Sequence, residues 1–201
     1  MKYHPRLYSV GRQSHNKAVK LKGIVFVKLS EFVEETWGLA LWDELLQEAD
    51  LASDGIYTTV CVYDDEEFFS LVSLIGNKKG ITVAQAQKVF GEYIFTELYA
   101  IAPPGAHDFV DVFEFLHGVQ NVIHDEVKNL NPDGLVPEFE FLFESEKTLR
   151  FHYKSPRKLC YFCEGLVYGL SKHLNQEVTV SHVECEHNND DRCVLEVSKV
   201  G

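Results

Sequence analysis

The 201-residue chain predicts an α+β fold, an N-terminal helical block followed by a C-terminal antiparallel sheet with helices. Three observations carry this. Apolar residues recur at helical intervals between Ser30 and Leu130. Beyond Pro132-Asp133-Gly134 the pattern changes to the alternation of half-buried strands. One more helix and a second hairpin complete the chain, with no strand–helix–strand alternation to suggest a parallel sheet. A chain of this length can bury a substantial core as one domain.

The elements follow in order. Residues 1–20 hold five basic residues and no acidic one, and are expected to be a disordered extension or an expression scar, or else an electrostatic tether to an acidic partner. The domain proper is expected over residues 21–201, with order beginning near Gly23. Ser30 suits a helix N-cap and Glu31 the first turn, where the helix dipole favours an acid; Trp42, Leu45 and Leu46 continue the pattern. Ala52-Ser53-Asp54-Gly55 reads as a loop. Tyr63-Asp64-Asp65 opens a second helix, with Phe68, Phe69, Leu71, Val72 and Leu74 on its apolar side, broken between Gly76 and Gly80. Thr82 caps a third, carrying Ala86, Val89, Phe90 and Tyr93, and Pro103-Pro104-Gly105 ends the block.

Phe109 to Leu130 promises the most regular helix, because Val112, Leu116, Val119, Ile123, Val127 and Leu130 fall three and four apart. Phe139 to Phe143 and Thr148 to Tyr153 alternate as a hairpin around the polar turn Glu144 to Lys147. Lys158 to Leu174 is helical. Gln176 to Cys185 and Cys193 to Val197 form a second hairpin about the polar turn Glu186 to Arg192.

Charge narrows the function. Nineteen basic against 31 acidic residues leave −12 overall, and −17 beyond residue 20. Nucleic acid and anionic membrane surfaces repel such a protein. No apolar run reaches the length of a membrane span, and the first twenty residues lack the apolar core of a secretory signal, so the expectation is a cytoplasmic protein. Five cysteines, an odd number, read as thiols or metal ligands rather than a disulfide framework.

Three groups could carry chemistry. His117 and His124 lie two turns apart on one helix face, and His124 beside the apolar stripe could ligate a haem iron, although a histidine there is more often a satisfied boundary residue. In an extended segment, Tyr153, Ser155 and Arg157 would point one way, offering two hydroxyls and a guanidinium to a carboxylate; Pro156 sets them at a strand edge or end, and the ordinary reading is a polar strand end. Cys160 with His182, Cys185 and Cys193 would make a structural zinc site pinning the second hairpin to the helix before it. Cys163 could replace Cys160 there, and His187 could replace His182.

In combination these segments resemble the bacterial H-NOX domain, the haem nitric oxide/oxygen-binding family related to the sensor domain of soluble guanylate cyclase. The resemblance runs from Leu21 to about Val197. Lys22-Gly23-Ile24-Val25-Phe26 is similar to the family's opening. Asn121 to Val127, followed by Val136-Pro137-Glu138-Phe139, is similar to its proximal-histidine helix and the loop beyond, and selects His124 over His117. Tyr153, Ser155 and Arg157 match its Y-x-S-x-R motif.

The resemblance implies a haem b held between the helical block and the sheet. His124 would be the axial ligand, Tyr153, Ser155 and Arg157 would bind the propionates, and Pro137 would pack against the haem. Some family members place an O2-stabilising tyrosine five residues after the motif arginine, where this chain has Phe162; Tyr161 stands one helical step, roughly 100°, away. That implies a nitric oxide sensor rather than an O2 carrier. Binding of NO would weaken or break the iron–His124 bond, and the resulting shift would be read by a separate sensor histidine kinase or cyclic-di-GMP enzyme through a basic patch that complements this acidic chain. The Cys160, His182, Cys185 and Cys193 set resembles that of a subgroup whose Zn2+ site is linked to thiol oxidation. No enzymatic motif is visible. The rival readings are an O2-binding haem protein and a zinc/thiol redox switch with or without haem.

Overall fold

In a computed structural model, which describes residues 20–130 and 135–201, a glycine divides the first helical stretch in two. Gly38 adopts φ +91°, in the region that side chains disfavour, and separates α1 (Gly23–Trp37) from α2 (Leu39–Glu48). Ser30 is therefore not an N-cap. It lies inside α1, where its hydroxyl donates to the Val27 carbonyl at 2.7 Å, the local bond that serine makes when a helix encloses it. The helix begins earlier, its first amide, that of Gly23, donating to the Cys61 carbonyl at 2.8 Å. Ahead of α1, β1 (Lys20–Lys22) pairs antiparallel with β2 (Val62–Asp64). Residues 1–19 of the basic arm and the Pro132-Asp133-Gly134 turn lie outside the described residues.

α3 (Asp65–Lys79) follows β2 directly, with three acids in its first turn and two lysines in its last, both matched to the helix dipole. Gly76 sits within α3, and Gly80 ends it in the left-handed conformation. α4 (Val83–Ala100) opens on a capping box, Thr82 and Gln85 each satisfying the other's backbone amide. Ala86, Phe90 and Ile94 are buried on α4, whereas Val89 faces solvent, one step off that stripe.

The expected regular helix is interrupted. Asp111 caps α5 (Val112–Gly118), accepting from the Phe113 amide at 2.9 Å. Residues Val119–Ile123 then form a wide π turn before α6 (His124–Leu130), and the His124 amide bonds to the Val119 carbonyl five residues back. Apolar spacings of three and four cannot reveal one widened turn. Its signature is burial: Val112 and Leu116 are buried, while Val119, Ile123 and Val127 are only half-buried.

The sheet contains β3 (Glu138–Glu144), β4 (Thr148–Lys154), β5 (Val178–Glu184) and β6 (Cys193–Lys199), antiparallel in the order β3-β4-β6-β5. α7 (Cys160–Leu174) connects β4 to β5. Those two strands run in the same direction with β6 between them, a split crossover that simple alternation does not betray. Leu149, Phe151 and Tyr153 alternate inward along β4 and meet Leu195 and Val197 of β6.

Two contacts join the halves. Phe26 of α1, Phe68 of α3, Phe90 of α4 and Phe162 of α7 form a chain of rings with successive centroids 6.2, 6.0 and 5.7 Å apart. α4 and α7 meet through glycine: a Cβ on Gly91 would lie 2.3 Å from the Phe162 carbonyl oxygen, and one on Gly165 would lie 2.1 Å from that of Lys88. Among the described residues no helix is long and apolar enough to cross a membrane.

Candidate functional site

His124 is the first residue of α6, delivered by the π turn toward the sheet. Gln120, within that turn, accepts the Phe139 amide at 2.8 Å and so fixes the start of β3 beside it. The His124 ring meets Phe139 edge to face at 5.6 Å, and Phe139 stacks on Phe151 at 4.8 Å. Its Nδ1 is buried and has no hydrogen-bond partner among the described residues. Burial pushes its pKa down to about 4; Lys128 adds to the push, while Asp125 and the Pro137 backbone oppose it. The imidazole is thus neutral near pH 7, the form that binds a metal. His117 differs: its Nε2 lies 3.0 Å from Glu144, and its ring lies 3.9 Å from that of Phe141.

Tyr153, Ser155 and Arg157 come together, but not as one face of a strand. β4 ends at Lys154 and the chain turns, with the Arg157 amide donating to the Ser155 hydroxyl at 3.3 Å. Tyr153 is buried, and desolvation drives its phenol pKa upward despite Ser155. The Arg157 side chain is 6% exposed. It donates to the carbonyls of Leu135 at 2.8 Å and Lys20 at 2.5 Å, and its Nε lies 3.3 Å from Asp65. Burial lowers the pKa of Arg157 and raises that of Asp65, each against the attraction of the other. A neutral half-buried imidazole without a partner for Nδ1, an aromatic wall, and a sheltered guanidinium beside two hydroxyls are the donor set that a haem with its two carboxylates requires. These residues fit that group.

Phe162 packs on Phe90 at 5.7 Å and Phe68 at 6.4 Å. Tyr161 turns elsewhere. Its ring stacks on His182 at 4.4 Å, and its hydroxyl lies 3.8 Å from the Cys185 sulfur.

The Cys160, Cys185 and Cys193 sulfurs are buried and lie within 4.8 Å of one another. The Cys160–Cys185 separation is 3.7 Å, close to the edge of about 3.8 Å that tetrahedral zinc with Zn–S of about 2.3 Å would need. Burial raises the Cys160 pKa, as do the neighbouring thiols. Burial would raise Cys185 too, but the His187 backbone, the Tyr161 hydroxyl and other neighbouring groups outweigh it and draw that pKa down. His182 borders the group, its Nδ1 buried without a partner among the described residues. The spacing of the three sulfurs fits Zn2+, whereas His182 is not among the ligand atoms that lie within 4.8 Å of one another. Neither alternative enters the cluster: Cys163 is buried apart from it, its thiol pushed up to about 12 by burial, and the His187 Nε2 faces the Lys158 carbonyl at 2.7 Å.

Sequence reasoning missed Asp65, Gln120 and Glu164. Asp65 was hidden in an acidic run that reads as helix-dipole charge. Glu164 left a signal, as the one acid in the apolar helix face Cys160 to Leu170. Gln120 left none.

A family model described as haem-NO-binding matches residues 22–182. A solved H-NOX protein from S. oneidensis, in its Fe(II)NO ligation state, is 29% identical with a TM-score of 0.82, covering 90% of this chain and 100% of that one. The H-NOX from Shewanella woodyi, bound to IWP-051 in the Fe(II)CO state, is 29% identical with a TM-score of 0.75, covering 90% and 95%. The unliganded Fe(II) H-NOX from K. algicida shares the fold at 24% identity, with a TM-score of 0.80 and coverage of 90% and 97%. With the family model spanning most of its length and its α+β fold matching those structures, this chain belongs to the haem-NO-binding family of gas-sensor domains.

Proposed function

We propose that this chain is a nitric oxide sensor that carries haem b on His124 and signals to a separate effector, a sensor histidine kinase or cyclic-di-GMP enzyme, rather than catalysing a reaction. The observation that carries the reading is the His124 imidazole, neutral and half-buried, with its Nδ1 buried and without a partner among the described residues. Bound haem would supply a ferrous iron with affinity for NO. His124 would hold the iron through its imidazole. Tyr153, Ser155 and Arg157 would hold the propionates, with Asp65 beside Arg157. Pro137, in the loop before β3, would pack against the haem. Phe162, among Phe90 and Phe68, keeps the gas side apolar and without a hydroxyl, which favours NO over O2. The signal would pass through His124: a change in its hold on the haem would let α6 move about the π turn and alter the surface offered to the effector.

A second reading concerns the thiols. Cys160, His182, Cys185 and Cys193 would hold Zn2+, pinning β5 and β6 to α7, and a peroxide that takes two electrons from two of the thiolates, joining them as a disulfide while its O–O bond is reduced to water, would remove two ligands and release the metal. The sulfur spacing supports it.

The test of the haem reading is an anaerobic absorbance spectrum of the reduced protein after haem reconstitution, before and after NO, and in air. A Soret band that shifts with NO, forms no stable oxy complex in air and is lost in His124→Ala is the expected result. A stable oxy spectrum would overturn the selectivity. A protein that takes up no haem, or one whose His124→Ala variant keeps the same band, would overturn the haem site.

A further inference from the structure

We propose that Glu164 is the positioning residue of the cysteine site, orienting His182 so that Nδ1 is the nitrogen offered as fourth ligand. The proposal rests on the zinc reading above and goes beyond it in assigning a role to an acid inside α7.

Glu164 is 6% exposed on a helix face otherwise made of Cys160, Cys163, Val167 and Leu170. A carboxylate there is unfavourable unless both oxygens find partners. Both do. Oε2 lies 3.0 Å from the His182 Nε2, and Oε1 lies 2.7 Å from the Lys88 ammonium. A neutral imidazole has one N–H and one lone pair. The carboxylate can only accept, so whenever the ring is neutral Nε2 carries the hydrogen and the lone pair is on Nδ1. That is the atom left buried with no partner among the described residues.

The ring is also held sideways. Tyr161 stacks on it at 4.4 Å, with an interplanar angle of 27°, while the Tyr161 hydroxyl touches the Cys185 sulfur at 3.8 Å. Imidazole and thiols therefore share one aromatic wall. Metal-bound histidines recurrently donate their second N–H to a carboxylate, which fixes tautomer and ring plane. Here that carboxylate is held in turn by Lys88 of α4, whose ammonium also lies over the Tyr168 ring at 4.4 Å. The site would thus be anchored to the helix that carries Phe90.

Two measurements on the full chain, with thiols reduced and oxygen excluded, test this. The first needs no metal. Long-range 15N–1H NMR of the zinc-free protein, at a pH alkaline enough to leave the ring neutral, should find His182 as the Nε2–H tautomer in the wild type and mixed in Glu164→Ala. The second is zinc affinity by competition with a chromophoric chelator. Wild type should bind one equivalent, Glu164→Gln should bind roughly 10–100-fold more weakly, and Glu164→Asp should recover part of the loss. Cobalt(II) substitution should keep the sulfur charge-transfer intensity in Glu164→Gln while its ligand-field bands move toward those of His182→Ala. If Glu164→Gln does not fold, Lys88→Met, at a half-exposed site, should weaken zinc in the same direction by a smaller factor. A wild type that takes up no zinc would overturn the zinc reading and this proposal together. Zinc bound normally by the wild type, with Glu164→Gln within twofold and cobalt bands unmoved, would overturn the positioning role alone. So would a mixed tautomer in the wild type.

Discussion

Tyr161 lies almost flat on the imidazole of His182, so the aromatic ring preceding Phe162 in sequence belongs to the thiol cluster and not to the Phe68–Phe90 group. The two neighbours on α7 pack against different groups, and neither can take the other's place without turning the helix.

Phe162→Tyr should convert the gas side. The new hydroxyl would stand among Phe68 and Phe90 and donate to the partial negative charge of bound O2. A hydrogen bond to a charged partner contributes about 1.5–3 kcal/mol, so O2 dissociation from the reconstituted protein should slow by at least tenfold. Tyr161→Phe should leave O2 and NO binding unchanged. Stopped-flow measurements on both variants check this.

The Arg157–Asp65 pair should behave as a buried pair. Asp65→Ala strands a guanidinium that is 6% exposed, and the expected loss is about 3–5 kcal/mol in urea unfolding. Arg157→Ala/Asp65→Ala together should lose clearly less than the sum of the single changes. Additive losses would mean that the Lys20 and Leu135 carbonyls, not Asp65, hold the arginine.

Asp111 should make the protein sensitive to acid. Burial alone would raise its pKa, but bonds from Lys199 at 2.6 Å and from the Phe113 and Glu114 amides outweigh it and hold the pKa below the ordinary 3.8. The unfolded chain therefore takes up this proton first as pH falls. The contribution is complete above 3.8 and is lost as pH drops through the lower folded value. Asp111→Ala should cost about 1–2 kcal/mol near pH 7, and the difference from wild type should shrink below that range in chemical melts at successive pH values.

The π turn should be the weak point of its helix. Residues 119–123 are not buried and make wider-spaced bonds, so their amides should exchange with solvent faster than those of Phe115 and Leu116, which are anchored in the core. Hydrogen-exchange mass spectrometry on the haem-free chain reads this directly. Uniform protection from 112 to 128 would show the turn to be rigid.

The order of elements was legible in the sequence because composition marks it. Proline and glycine clusters set the breaks, alternation marked β3 and β4, and Thr82 announced α4. What stayed hidden depends on partners distant in sequence. Ser30 looks like a cap because a serine before an acid often is one; only the Gly23–Cys61 bond reveals that the helix has already begun. Tyr153, Ser155 and Arg157 were expected along one strand face, but β4 ends at Lys154 and a turn, not a pleat, sets their arrangement. Glu164 and Asp65 acquire meaning only when His182 and Arg157 arrive from other elements.

The sheet order carries a consequence for biosynthesis. β6 is the latest of the sheet's strands to be made, yet it lies between β4 and β5 and pairs with both. As the chain leaves the ribosome, β4 and β5 can emerge and α7 can form, but the space between the two strands stays open until the residues from Cys193 onward are clear of the exit tunnel. Cys193 also completes the thiol triad, so the cluster and the sheet close in the same late event. Until then the edges of both strands are exposed to other chains, which makes this interval the one in which a nascent copy would be most prone to aggregate.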